Sequence, residues 1–274
     1  ALDLCNEVTV DTEAEPGVSW EGEGADELPT DGTDMVSRAI ALAFARSARV
    51  SEPPPVPPVG LHGVNRIPPA RGLGSSAAAA LAGTVAGLVL SADGEAAHLR
   101  RDLSPLVAYV RLIEGHADNA AAAVLGGLTV VASGYPYRID PHSDVDPVVL
   151  LPERATTSTA AARAALSETV ARRDAVFNIG HASLAVIALT RDPTVLSFAL
   201  QDRLHEDARL ASAPDGLHLL RGLRSRKIAA CVSGSGPSLL VFPLDERDLG
   251  DLPDGWRAIR PGIRQRGVEF DVER

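Results

Sequence analysis

Residues 67–80 read IPPARGLGSSAAAA, and two later stretches, EGHADN at 114–119 and SGSGPS at 233–238, gather further polar and glycine residues at spacings suited to chemistry. The first is a proline-led loop with paired glycines that ends in two serines and runs into a stretch of helical composition. Such a loop turns backbone N–H groups and a helix N-terminus toward an anion, which suggests phosphate binding. Gly72 and Gly74, lacking a Cβ, let the chain turn tightly and approach a ligand closely. Ser75 or Ser76 is placed to cap the following helix, and a hydroxyl left free there suits a Mg2+ ion bridging nucleotide phosphates. No lysine follows the glycines, so this is not a Walker A loop, and a plain helix cap after a turn accounts for the composition as well. EGHADN sets a carboxylate, an imidazole, a second carboxylate and a carboxamide close together, for ligand chemistry or for capping by Asp118 or Asn119. SGSGPS is either a tight connection or backbone lining a ligand site.

The elements that must position these groups follow from pattern. Residues 1–10 read as a strand already under way, with no preceding turn, so the chain is expected to be cut inside a domain. Residues 11–34 are acidic and glycine-rich, a loop or hairpin. Asp34 then caps an amphipathic helix to about residue 48, with Met35, Ile40, Leu42 and Phe44 as its core contacts. PPPVPP at 53–58 is a stiff connector to a short strand at 60–67. A helix over 75–90 carries Gly83 and Gly87, spaced for close packing, and a second helix covers 95–113 with an interruption near Ser104 and Pro105. Strands are predicted at 128–132, 148–152, 228–232 and 238–242, and helices at 159–172, 174–190 and 193–211.

The length of 274 residues favours two domains. The composition resets near 148, which divides the chain at 1–146 and 147–274. A net charge of −10 argues against a nucleic-acid footprint or a polybasic membrane patch. There is no run of 18 apolar residues. Cys5 and Cys231 are too few for a disulfide framework and lack metal-ligand spacing, which fits a reducing cytoplasm.

Taken in order, GLGSSAAAA at 72–80, EGHADN with GGLTV at 126–130, and SGSGPS resemble the GHMP kinase superfamily and, within it, the homoserine kinases. GEGADELP at 22–29 adds weaker support. The resemblance implies an α+β, two-domain GHMP kinase fold, with an N-terminal ATP-binding domain like the second domain of ribosomal protein S5 and a ferredoxin-like C-terminal domain. It implies a cytoplasmic enzyme that uses ATP and Mg2+ to phosphorylate the hydroxyl of L-homoserine in threonine biosynthesis. Residues Pro69, Ala70, Arg71, Gly72, Leu73, Gly74, Ser75 and Ser76 are then expected to cradle the nucleotide, and Ser76 with Glu114 to hold the metal. His116, Asn119, Thr159, Arg163, Arg209 and Gly234 match positions around the amino acid, the two arginines suiting its carboxylate. Glu114, Ser76 and Asn119 are the expected catalytic set; because Asn119 is no base, rate is expected from positioning and electrostatics. The resemblance leaves room for a homodimer and implies no nucleic-acid or membrane partner.

The sequence departs from that pattern in three places. The family's N-terminal segment, like PASSANLGPGFD, does not precede ALDL, so the chain as written is expected to be weakly active or inactive. HEDAR at 205–209 stands where the family has HQPYR, and Glu206 and Asp207 are expected to face solvent or to repel the substrate carboxylate. His181 replaces an arginine, read as a change on a helix surface. Mevalonate or a sugar-like alcohol is the alternative acceptor, and a non-catalytic ligand sensor the alternative outside enzymology.

Overall fold

The computed structural model describes residues 1–47, 55–91, 99, 101–157, 159–243 and 245–273. The first half contains β1 (Glu7–Asp11), β2 (Gly17–Gly22), α1 (Met35–Ser47), β3 (Gly60–Asn65), α2 (Ser75–Leu90), α3 (Ser104–Glu114), α4 (Asp118–Leu125), β4 (Leu128–Ala132) and β5 (Tyr135–Ile139). Strands β1, β3 and β2 form a sheet in that order, β1 antiparallel and β2 parallel to the central β3. The early strand is shorter than the apolar pattern suggests: regular pairing starts at Glu7, and Leu2 instead makes an isolated bridge with Ile263. Strand β2 lies within the stretch expected to be a loop or hairpin. Its Val18 and Trp20 alternate with more exposed neighbours, a period-2 pattern that the surrounding acids and glycines obscure.

Asp34 caps α1 as expected, accepting from the Ser37 N–H at 2.9 Å. Val36, Ala39, Ile40, Ala43, Phe44 and Ser47 form the buried stripe of that helix; Leu42 lies off it and is 36% exposed, against the expectation. Across the stripe runs α2, where Gly83 and Gly87 let the two backbones touch. A Cβ on Gly83 would lie 2.2 Å from the Val36 carbonyl oxygen, and one on Gly87 2.5 Å from that of Ile40. At the interruption expected near Ser104 and Pro105, α3 begins, with Pro105 in its first turn, where the missing N–H is harmless. Residues 53–54 of the proline connector and 95–98 of the expected second helix lie outside the described residues.

The second half runs β6 (Val148–Pro152), α5 (Thr159–Ala164), α6 (Arg172–Thr190), α7 (Leu196–Ala199), α8 (Glu206–Arg209), α9 (Pro214–Ser225), β7 (Ala229–Val232), β8 (Leu239–Phe242) and β9 (Trp256–Ile259). Its sheet order is β7-β8-β6-β9 with every neighbouring pair antiparallel, the arrangement of a ferredoxin-like domain. All five residues of β6 are buried, which explains its unbroken apolar sequence. Two helices come out shorter than expected. The one expected over 159–172 ends at Ala164, and beyond it Ser167 Oγ donates to the Thr169 carbonyl at 2.7 Å in place of a helical ladder. The one expected over 193–211 breaks between α7 and α8, where Asp202 Oδ1 accepts the N–H groups of Leu204, His205 and Glu206 at 2.9, 2.6 and 3.1 Å.

Residues 262–270 return to the first half. The Asp3 N–H donates to Gly262 O at 3.2 Å, the Gly127 N–H donates to Arg264 O at 2.8 Å, and Val268 and Phe270 pack on the core between α2, α3 and α4. Gly267 passes so close to α4 that a Cβ would sit 1.8 Å from the Val124 carbonyl oxygen.

Candidate active site

The alanine-rich sequence of α2 favours helix on propensity alone, and the helix starts where Gly74 adopts a left-handed conformation at φ 79°. No serine side chain caps it, contrary to the capping reading. The Ala78 N–H is the first to close a helical bond, onto Gly74 O at 3.0 Å, so the N–H groups of Ser75, Ser76 and Ala77 have no partner within the helix, and the positive end of its dipole faces the loop. Ser76 Oγ donates to Glu114 Oε1 at 2.6 Å, which joins the start of α2 to the last residue of α3. A hydroxyl and a carboxylate oxygen in contact are hard ligands of the kind Mg2+ takes together with phosphate oxygens. Among the described residues no cluster of three or more His, Cys, Asp or Glu forms a self-sufficient metal cage.

From Glu114 the polar groups continue outward. His116 Nε2 lies 3.9 Å from Glu114 Oε2, and its Nδ1 is 2.6 Å from Asp118 Oδ1; the two inner side chains are only 8% and 11% exposed. Asp118 does not cap α4, whose N-cap is Ala117. Burial pushes the Asp118 carboxyl up, but the Asn119 N–H, His116 and the Arg163 charge together hold it below its ordinary value. Beyond Asp118 stand Arg163 on α5 and Arg209 on α8. Burial and the Arg163 charge pull the Arg209 guanidinium down, with Asp118 and Asp202 opposing. Two like charges on facing helices, with one carboxylate beside them, make an electrostatic seat for a carboxylate that also carries a cation. Arg209 Nη1 donates to Gly234 O, while its buried Nε–H finds no acceptor.

The loop residues divide in role. Arg71 turns its guanidinium to the carbonyls of Pro152 and Glu153, at 3.0 and 2.9 Å, and so fastens the loop to the end of β6 instead of presenting a cation to the phosphates. The Thr157 N–H donates to Ala70 O at 3.0 Å, a second tie between the halves. Pro69 packs against Gly24 of the GEGADELP segment. Asn119 lies beside Gly74, where an added Cβ would sit 3.6 Å from its Cγ. Gly72, Leu73, Gly74, Asn119, Ser233 and Gly234 share the wall of a cleft of about 870 Å³. Ser76, Glu114, His116, Arg163 and Arg209 lie outside that wall, and Arg209 reaches it through Gly234. Thr159 opens α5; its side chain lies outside the described residues.

Sequence reading passed over several groups. Of the two readings open to Asp118, ligand chemistry and capping, its contact with His116, two residues before it, matches the first. Glu206 neither faces solvent nor repels a ligand: it is 3% exposed and pairs with Arg224 through both oxygens at 2.8 Å, while the Val232 N–H donates to it at 3.3 Å. Burial still raises its carboxyl above the ordinary range against the pull of Arg224. Asp207 is exposed and meets Arg221 at 3.1 Å. His181 is buried rather than superficial, stacked at 3.9 Å on Phe177 with Phe198 beside it.

Residues 34–127 match the GHMP kinases N terminal domain. The whole chain aligns at 41% identity with a homoserine kinase of Clavibacter michiganensis, covering 81% of that protein. A homoserine kinase of Streptomyces coelicolor is 38% identical over 98% of this chain and 86% of its own length. The crystal structure of homoserine kinase from Cytophaga hutchinsonii superposes with a TM-score of 0.73 at 22% identity, over 96% of this chain and 87% of that one, which shows the fold.

Proposed function

Because the chain belongs to the homoserine kinase family of the GHMP kinases, we propose that it transfers the γ-phosphoryl group of ATP to the side-chain hydroxyl of L-homoserine, with 1–146 as the nucleotide domain and 147–274 as its partner. The observation that carries this reading is the run of polar contacts from Ser76 through Glu114 and His116 to Asp118, with the charges of Arg163 and Arg209 acting on its outer end. One end is built for phosphate and the other for an α-amino acid. In this reading Arg163 and Arg209 take the carboxylate, and Asp118, held ionised, takes the ammonium group. Mevalonate has the carboxylate and no ammonium, and galactose has neither, so the Asp118 carboxylate near the arginine pair favours homoserine.

ATP and Mg2+ fit the residues present. The Gly72–Ser76 backbone lies where a Cβ at Gly72 would strike the Ser233 carbonyl at 2.2 Å, so only bare backbone fits there, and Ser76 with Glu114 offers two oxygen ligands. A bound Mg2+ would neutralise charge as it builds on the phosphoryl group being transferred. The chain's own part is positioning. The helix N-terminus and loop amides hold phosphate oxygens, and the arginine pair fixes the amino acid so that its hydroxyl points at the phosphorus. Asn119 orients without taking a proton, which passes to phosphate or solvent.

The test is ADP release on homoserine, mevalonate and galactose under identical conditions, with the protein expressed from its complete reading frame. Turnover confined to homoserine is the expected result; turnover on mevalonate or galactose alone overturns the substrate assignment. Homodimer formation and residence in the cytoplasm belong to the same proposal. Among the described residues no helix is long and apolar enough to cross a membrane.

A further inference from the structure

We propose that Ser233 is a positioning residue that couples occupancy of the arginine pocket to the setting of the glycine loop, so that homoserine and nucleotide strengthen each other's binding. The proposal rests on the kinase reading above. Its basis is a short chain of contacts between the two ends of the site. Arg209 Nη1 donates to Gly234 O, and the residue before it, Ser233, donates its Oγ to Gly72 O at 2.9 Å. The turn between them is closed on itself: the Gly236 N–H donates to Ser233 O at 2.8 Å, and the Ser233 N–H to Ser238 O at 2.9 Å. Gly234 and Gly236 both hold left-handed conformations, at φ 51° and 77°. A turn cross-linked in this way moves as one piece.

Both ligands bear on that piece. On the amino acid side, α8 supplies Arg209 and also Glu206, which accepts the Val232 N–H immediately before the turn. A carboxylate arriving at the unsatisfied Arg209 Nε–H therefore fixes the helix and the turn together. On the nucleotide side, Gly72 lies in backbone contact with Ser233 and Gly236, and a Cβ added to Gly234 would lie 2.7 Å from Gly72 O. Arg71 and Thr157 also tie the glycine loop to the second half, but their partners are Pro152, Glu153 and Ala70, none of which leads to Arg209. Ser233 is the hydroxyl on the route that does. Whichever ligand binds first settles the turn for the second, and by linkage the effect is equal in both directions.

The experiment titrates a non-hydrolysable ATP analogue with Mg2+ into the full chain by calorimetry, with and without saturating homoserine. Homoserine is expected to tighten the analogue by about tenfold in the unaltered protein. In Ser233→Ala the tightening should fall below about twofold on the same scale, while Ser233→Thr, which keeps the hydroxyl, restores it. A merely structural role would change stability and leave the ratio alone. The proposal is overturned if the unaltered protein shows no tightening, if Ser233→Ala keeps the full ratio, or if Ser233→Thr behaves like alanine. Turnover of homoserine is measured beside it: turnover without coupling sinks this inference alone, and failure to bind or phosphorylate homoserine sinks the kinase reading beneath it.

Discussion

Arg209 concentrates the chemistry of the proposed amino acid end: a guanidinium with one donor engaged on Gly234 and a buried Nε–H without an acceptor. Arg209→Ala removes a charge-assisted hydrogen bond worth roughly 1.5–3 kcal/mol, so KM for homoserine should rise by about ten- to a hundredfold while nucleotide affinity measured without homoserine stays near its original value. Steady-state kinetics with each substrate varied in turn checks this, and an effect confined to ATP would remove the assignment. Asp202 has a different task at the same scale, holding the turn that leads into α8. Burial pushes its carboxyl up, but the backbone N–H groups and Asn178 outweigh burial and leave it below its ordinary value of about 3.9. A carboxylate depressed in the folded state stabilises fully above its unfolded pKa, and that contribution is lost as pH falls through the folded value. Asp202→Ala should therefore lower stability by about 1–2 kcal/mol at pH 7, with the gap to the parent closing below about pH 4. Urea unfolding at several pH values measures the gap directly; a gap independent of pH would show that charge has no part in it.

At the scale of elements, the crossing of α1 and α2 and the surface of α9 set two kinds of helical glycine apart. Gly83 sits under the Val36 carbonyl and the Ala39 methyl, so Gly83→Ala must push the helices apart and should cost about 1–3 kcal/mol despite the better helix propensity of alanine. Gly222, inside α9, has nothing within 4 Å of an added Cβ, and Gly222→Ala should stabilise by about 0.5–1 kcal/mol. Opposite shifts in unfolding midpoint are expected, and equal signs would contradict the packing described. The spacing of Gly83 and Gly87 made the first case legible in the sequence, as the period of α2 and the unbroken apolar run of β6 made those elements legible. The breaks after Ala164 and Ala199 were not, because side chains of Ser167 and Asp202 decide them by competing for backbone groups. Glu206 was misread for a related reason. A carboxylate on a short helix reads as solvated until its partner Arg224, on another helix, is brought to it by the fold.

At the scale of the whole molecule, the two halves meet through the glycine loop and again through residues 262–270. Motifs announced the first meeting, since each of the three segments at the site carries a local signature. Nothing local announced the second: GIRQRGVEF has no pattern that says which core it joins. Arg264 ties it to the first half through Asp3 at 3.2 Å and pairs within the segment with Glu269 at 2.6 Å. Gly267→Ala would force the strap away from α4, so trypsin should cleave at Arg264 or Arg266 several-fold faster than in the parent, at an unchanged rate elsewhere on the chain. Equal cleavage of both proteins would mean that the strap tolerates the methyl group.

That strap also sets an order of events during synthesis. The core between α2, α3 and α4 is built from Ala43 and residues within 77–124, yet takes Val268 and Phe270 into its packing. A growing chain therefore makes the whole of its second half before these two side chains can reach the first. Until residue 270 clears the ribosome, the core between α2, α3 and α4 has part of its apolar surface uncovered, an interval in which chaperone engagement or aggregation competes with folding.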